Sequence, residues 1–171
     1  MQSRYFSWLI GLAIVVGLAG TVQADGGDDL GPKVGLLAPE FDLANLQGGR
    51  ASLSGLRKNG HVMLIFWSTR CPFCHALIPE FKAIHEKYKG KGLTVAAINV
   101  GYEGMPEVDA YALEYDLNYL VLNEDAKKES LASDYQLMGT PTIVVVSPTG
   151  IVLYRGHFLP KDLEALLGPR S

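Results

Sequence analysis

The chain has only two cysteines, Cys71 and Cys74, and no run of lysines or arginines. A bridge across two intervening residues closes almost no loop, so it takes little entropy from the unfolded chain. That argues against a structural staple and for redox exchange. Charge is sparse at 19% of residues, with a formal net charge of −3, which argues against nucleic acid as a partner. Few charges beside 48% hydrophobic residues exclude a disordered chain and allow a sizeable core. A length of 171 residues suits one domain with a short extension. No internal repeat, second domain or low-complexity tract is present.

The N-terminus is a different kind of sequence. Met1–Ser7 carries one cation, Arg4, and Trp8 to about Gly20 is almost wholly apolar. Val22-Gln23-Ala24 offers a small-residue cleavage site before Asp25. This layout predicts a secretory signal peptide over residues 1–24, with an uncleaved membrane anchor as the alternative. Both place the remainder outside the cytoplasm, and membrane contact follows only if the segment stays as an anchor. No cysteine stands at the cleavage site to carry a lipid. Cleavage removes Arg4 and no acid, so −3 becomes −4. Residues 25–35, rich in Gly and Asp, read as a flexible lead-in to a domain over 36–171.

Within that domain, Leu36–Leu56 reads as short extended pieces around a Gly48-Gly49 turn. Val62–Trp67 is an unbroken apolar run, as in a strand buried on both faces. After Ser68-Thr69-Arg70, the apolar positions Leu77, Phe81, Ile84 and Tyr88 recur at helical spacing and predict a helix from about Pro72 to Lys89. A second strand is expected at Leu93–Val100, a helix at Glu107–Tyr115, a strand at Tyr119–Leu122 and a helix at Lys127–Tyr135. Thr142–Val146 and Ile151–Tyr154 flank a Ser147-Pro148-Thr149-Gly150 turn and read as an antiparallel hairpin. A last helix is expected from Pro160. The class is α/β: a mostly parallel central sheet closed by the hairpin, with helices on both faces.

The cysteines fall where the first buried strand hands over to its helix. Free N–H groups at a helix start favour a thiolate at Cys71, and Arg70 adds a nearby cation. Pro72 is suited to the first turn, where its missing N–H has no helical partner. Cys74, one turn further in and on the buried side, is placed to attack after Cys71 forms a mixed disulfide.

These features together resemble the extracytoplasmic thioredoxin-like proteins of the TlpA/ResA group, over roughly Leu36 to Leu167. Phe66-Trp67-Ser68-Thr69-Arg70-Cys71-Pro72-Phe73-Cys74 matches that group's strand-end motif, and Pro79 sits where its active-site helix kinks. Gly139-Thr140-Pro141-Thr142 resembles its cis-proline loop, Tyr102–Gln136 its central strand–helix insertion, and Ala38–Leu43 its N-terminal entry. The resemblance implies a thioredoxin-like fold with a mixed sheet and an N-terminal extension. It also implies thiol–disulfide exchange with protein clients, more in the manner of a reductase or isomerase than of a disulfide-forming oxidase. Cys71 and Cys74 are then catalytic, while Thr140, Pro141, Trp67, Pro72 and Phe73 meet the client, although Trp67 also reads as chiefly core, covering the thiols. A membrane electron donor would recharge the pair, and neither cofactor nor metal is implied.

The chain departs from the pattern at three places. Ile65 stands where thioredoxin has a buried aspartate, and Leu77 where members that reduce apocytochrome c carry a glutamate. Proton transfer then needs water or another group. Pro72-Phe73 is closer to the Pro-His of the periplasmic disulfide-forming oxidase. A peroxiredoxin needs a proline and a hydroxyl before one cysteine; Thr69 is present and the proline is not. A copper-binding thiol chaperone would draw on the two thiols with His75 or His157, which otherwise read as surface side chains. A redox-silent docking module is the remaining alternative, although such modules usually lose one cysteine. His61, His85, Glu80 and Glu86 read as solvated.

Overall fold

The computed structural model describes residues 31–124 and 130–168. The expected signal segment, most of the lead-in and Lys127–Glu129 lie outside the described residues. Gly35 nonetheless donates its N–H to Val152 O at 2.9 Å, which joins the end of the lead-in to the domain.

A hairpin comes first, β1 (Asp42–Asn45) and β2 (Arg50–Ser52). The Asn45 carboxamide oxygen accepts the N–H groups of Gln47 and Gly49, a local side-chain clasp that fixes the turn. Ser52 then caps α1 (Leu53–Leu56), its Oγ accepting from Gly55 N. β3 (His61–Trp67) is buried from Val62 onward, as its apolar run requires. It pairs in parallel with β4 (Leu93–Asn99), and β4 in parallel with β5 (Leu120–Asn123). On its other side β3 meets β6 (Thr142–Val146) antiparallel, and β7 (Val152–Gly156) closes that edge.

The described strands form one sheet in the order β2-β1-β5-β4-β3-β6-β7. Four of its six pairings are antiparallel, so the sheet is mixed rather than mostly parallel. The reason is β1, which runs against the exposed side of β5 and adds a second hairpin at the far edge.

Period-two alternation sorts the central strands onto two cores. Val62, Leu64 and Phe66 face one side, with α1 and Tyr135 beyond α5 (Leu131–Asp134). Met63, Ile65 and Trp67 face the other, under Cys74, Phe81, Tyr88 and Val108. The single helix expected over Pro72–Lys89 is two, α2 (Pro72–Ala76) and α3 (Ile78–Tyr88), which break at Leu77. Pro79 lacks the N–H that would bond back to His75, so the ladder cannot run through. α4 (Met105–Glu114) packs beside α3, on the Trp67 side of the sheet. The final helix starts later than Pro160: Asp162 caps α6 (Leu163–Leu167) by accepting from Ala165 N at 2.9 Å. No helix among the described residues is long and apolar enough to cross a membrane.

Candidate active site

The end of β3 delivers Trp67, and the Ser68–Arg70 turn follows, with Cys71 N donating to Ser68 O. Cys71 is the N-cap of α2, in extended backbone with φ −93° and ψ 105°. Its Sγ accepts the Cys74 N–H at 3.1 Å, and the two sulfurs are joined as a disulfide with Cα atoms 5.3 Å apart. Once the bond is reduced, that N–H favours the thiolate of Cys71 over its thiol. Both residues are nearly enclosed, Cys71 at 7% and Cys74 at 3% exposure.

Opposite them lies the loop before β6. Thr140–Pro141 is a cis peptide, and the Thr140 carbonyl oxygen stands 3.3 Å from Cys71 Sγ. Thr142 Oγ1 donates to Gly139 O at 2.7 Å within the same loop. His157, just past β7, lies with Nδ1 2.8 Å from Pro141 O, so that nitrogen carries the proton and donates. The ring is exposed, as a surface side chain should be, and ties the strand end to the loop.

Of the other residues expected to meet a client, Phe73 is 75% exposed and Pro72 is exposed beside it, while Thr140 is half-buried and Pro141 buried. Trp67 is different. At 4% exposure it lies beneath the cysteines, its ring 5.1 Å from Tyr111, and it lines a narrow cavity behind Cys74 instead of meeting the surface. The run Val62–Trp67 fills both faces of a central strand, which is why its last aromatic turns inward.

Arg70 also differs from expectation. Its Nη2 donates to Gly101 O at 2.9 Å, and its Nε lies 3.5 Å from the carboxylate of Glu103. The cation beside Cys71 is therefore partly neutralised. Glu103 itself is buried, on the loop between β4 and α4. Its Oε1 accepts from Thr69 N at 3.2 Å and Thr69 Oγ1 at 2.9 Å, and its backbone oxygen accepts from Asn123 Nδ2. Burial opposes its ionisation, but the hydrogen bonds led by Thr69 outweigh that and hold the carboxyl below its ordinary range. Because Thr69 points at Glu103, its hydroxyl is not turned to the cysteine as a peroxidase would need.

Nothing in the sequence marks Glu103, because a lone glutamate in a loop carries no signal of burial. His75, on α2, lies with Nδ1 3.2 Å from the Tyr111 hydroxyl and its ring edge-on to Tyr115. Among the described residues no group of three His, Cys, Asp or Glu side chains is placed to hold a metal.

A disulfide at a helix start, faced by a cis-proline loop on a mixed α/β sheet, defines a thiol–disulfide oxidoreductase of the thioredoxin fold. The model of the AhpC/TSA family matches residues 34–155, and the chain belongs to that family. It is 30% identical over 168 residues to the thioredoxin-like protein YneN of Bacillus subtilis, covering 94% of this chain and 96% of that one. It is 29% identical over 133 residues to the thiol-disulfide oxidoreductase ResA of Geobacillus kaustophilus, covering 77% and 74%. Among solved structures, a thiol:disulfide interchange protein DsbE from Chlorobium tepidum superposes with a TM-score of 0.67 at 29% identity, over 78% of this chain and 92% of that one. The thioredoxin domain of an oxidoreductase from Bacteroides vulgatus gives 0.72 at 20% identity, over 80% and 99%, a likeness of fold.

Proposed function

We propose that this oxidoreductase works outside the cytoplasm as a reductase or isomerase of protein disulfides, recharged by a membrane electron donor. The observation that carries the reading is the placement of Cys71 Sγ, bonded by Cys74 N–H and 3.3 Å from Thr140 O. In this reading Cys71 attacks the client disulfide and Cys74 resolves the mixed disulfide. Thr140 and Pro141 present backbone to an extended client segment, by hydrogen bonds of the strand-addition kind. Export rests on the charge-poor apolar segment that precedes Asp25. Recovery of a chain beginning at Asp25 outside the cytoplasm supports it; retention of the full chain in the cytoplasm overturns it.

The rim of the site adds chemistry for the client. Phe73 stands on the cysteine motif, Met138 two residues before Thr140, and Phe158 directly after His157, all largely exposed. Apolar side chains held in the open on the cysteine motif and next to the residues of the facing loop fit a client segment with apolar residues flanking its cysteine. Phe73→Ser is expected to raise KM for reduction of an unfolded disulfide protein such as insulin about tenfold or more. Reduction of a small disulfide without flanking residues should be unchanged. Equal losses on both substrates would contradict the client-binding role.

A further inference from the structure

Resolution of a mixed disulfide requires the Cys74 thiol to lose its proton, and Cys74 is nearly enclosed. The cavity it lines is walled by Ile65, Trp67, Phe81, Tyr111 and Tyr119, with no carboxylate or amine among its lining residues. Two of the lining residues carry a polar atom besides the thiol. Trp67 has its Nε1 buried with no hydrogen-bond partner among the described residues. Tyr111 enters from α4, and its hydroxyl is 3.2 Å from Nδ1 of His75, the exposed residue that directly follows Cys74.

We propose that Tyr111 and His75 form the proton exit for Cys74, the phenol handing the proton from the cavity to the imidazole at the surface. The inference rests on the exchange chemistry of Cys71 and Cys74 and holds whichever way electrons flow in the cell. The Cys74 S–H gives its proton, through a solvent water entering the cavity that both residues line, to the Tyr111 oxygen, while Tyr111 gives its own hydroxyl proton to His75 Nδ1. The Cys74 thiolate pair forms the bond to Cys71 Sγ. The pair of the broken bond leaves on the partner sulfur as a thiolate, and the imidazolium releases its proton to that thiolate or to solvent. One disulfide is exchanged for another, and one proton is passed on.

Burial, with the neighbouring Tyr115 and Glu114, raises the Tyr111 phenol above its ordinary range, so it stays protonated and serves as a conduit. The ionisable groups on the elements packed around His75 are Tyr111, Glu107 and Glu114 of α4, Tyr115 at its C-cap, and the Lys82–Asp116 pair that ties α3 to the end of α4. Of these, Tyr111 is within hydrogen-bond distance of the ring. Both residues act on Cys74 through the cavity and are positioning residues for its proton.

The test uses the reduced full chain mixed with excess dithiobis(nitrobenzoate). Attack by Cys71 releases a first coloured thiolate, and intramolecular attack by Cys74 releases a second. His75→Gln and Tyr111→Phe should each slow the second step at pH 7 by about tenfold or more. Above about pH 9, where thiols ionise unaided, the variants should rejoin the native rate, and the first step should be unchanged throughout. An unchanged second rate at pH 7 in His75→Gln would overturn the proposal. So would an equal slowing at every pH, which marks a structural role alone.

Discussion

Cys71→Ala should abolish disulfide exchange, a loss of about three orders of magnitude or more, while Cys74→Ala should stop the reaction halfway and accumulate mixed disulfides with clients. The asymmetry follows from position. Cys71 caps the helix, receives the Cys74 N–H and faces the Thr140 carbonyl, so its sulfur is the one a client segment on the loop can reach. Cys74 lies one turn deeper over the cavity and can meet only a sulfur already bound to Cys71. Non-reducing gels of the two variants after exposure to oxidised clients check this. Adducts on Cys71→Ala, or their absence on Cys74→Ala, would reverse the assigned roles.

The second large effect belongs to Glu103. Its carboxylate holds Thr69 and faces Arg70 while its own side chain is nearly enclosed. Glu103→Ala strands the Thr69 N–H and hydroxyl without an acceptor, at a cost of about 2–4 kcal/mol in stability. The pH dependence has a definite sign. The folded-state pKa lies below the ordinary carboxyl value, so the contribution is present above the unfolded value of about 4.3 and is lost as pH falls through the folded one. Denaturation midpoints of native and variant chains should thus differ most at neutral pH and converge in acid. Glu103→Gln keeps an acceptor for Thr69 and removes the charge. It should fold well yet raise the reduction potential, because Arg70 then stands beside the Cys71 thiolate without its counter-charge. A difference in midpoint that persisted unchanged into acid would refute the ionic part of this account.

The sequence was most legible where one short segment carries its own reason. The run Val62–Trp67 announces a strand buried on both faces, and Cys71-Pro72-Phe73-Cys74 after it announces a helix start. Gly139-Thr140-Pro141-Thr142 before an apolar strand marks the facing loop. The break at Leu77 follows from Pro79 alone. What escaped are contacts made across the fold: Glu103 with Thr69 and Arg70, His75 with Tyr111, and His157 with Pro141. Each partner is an ordinary polar residue whose neighbours are set only when β4, α4 and β7 settle against the β3 end. Trp67 could be read two ways: the apolar run makes it core, the adjacent cysteine motif suggests a client contact, and its parity on β3 turns it inward.

The reduction potential of the Cys71–Cys74 pair tests the central claim most directly. The thiolate of Cys71 gains a backbone N–H and a helix start, which stabilise the reduced form, while exposed Phe73 offers it no polar partner. Equilibration with glutathione buffers, followed by alkylation and mass measurement, should show one reversible two-electron transition. The expected midpoint lies above about −270 mV, the value for thioredoxin, and below about −120 mV, that of the disulfide-forming oxidase. A value at or below that of thioredoxin would contradict the thiolate geometry, and the absence of any reversible transition would contradict the redox pair itself.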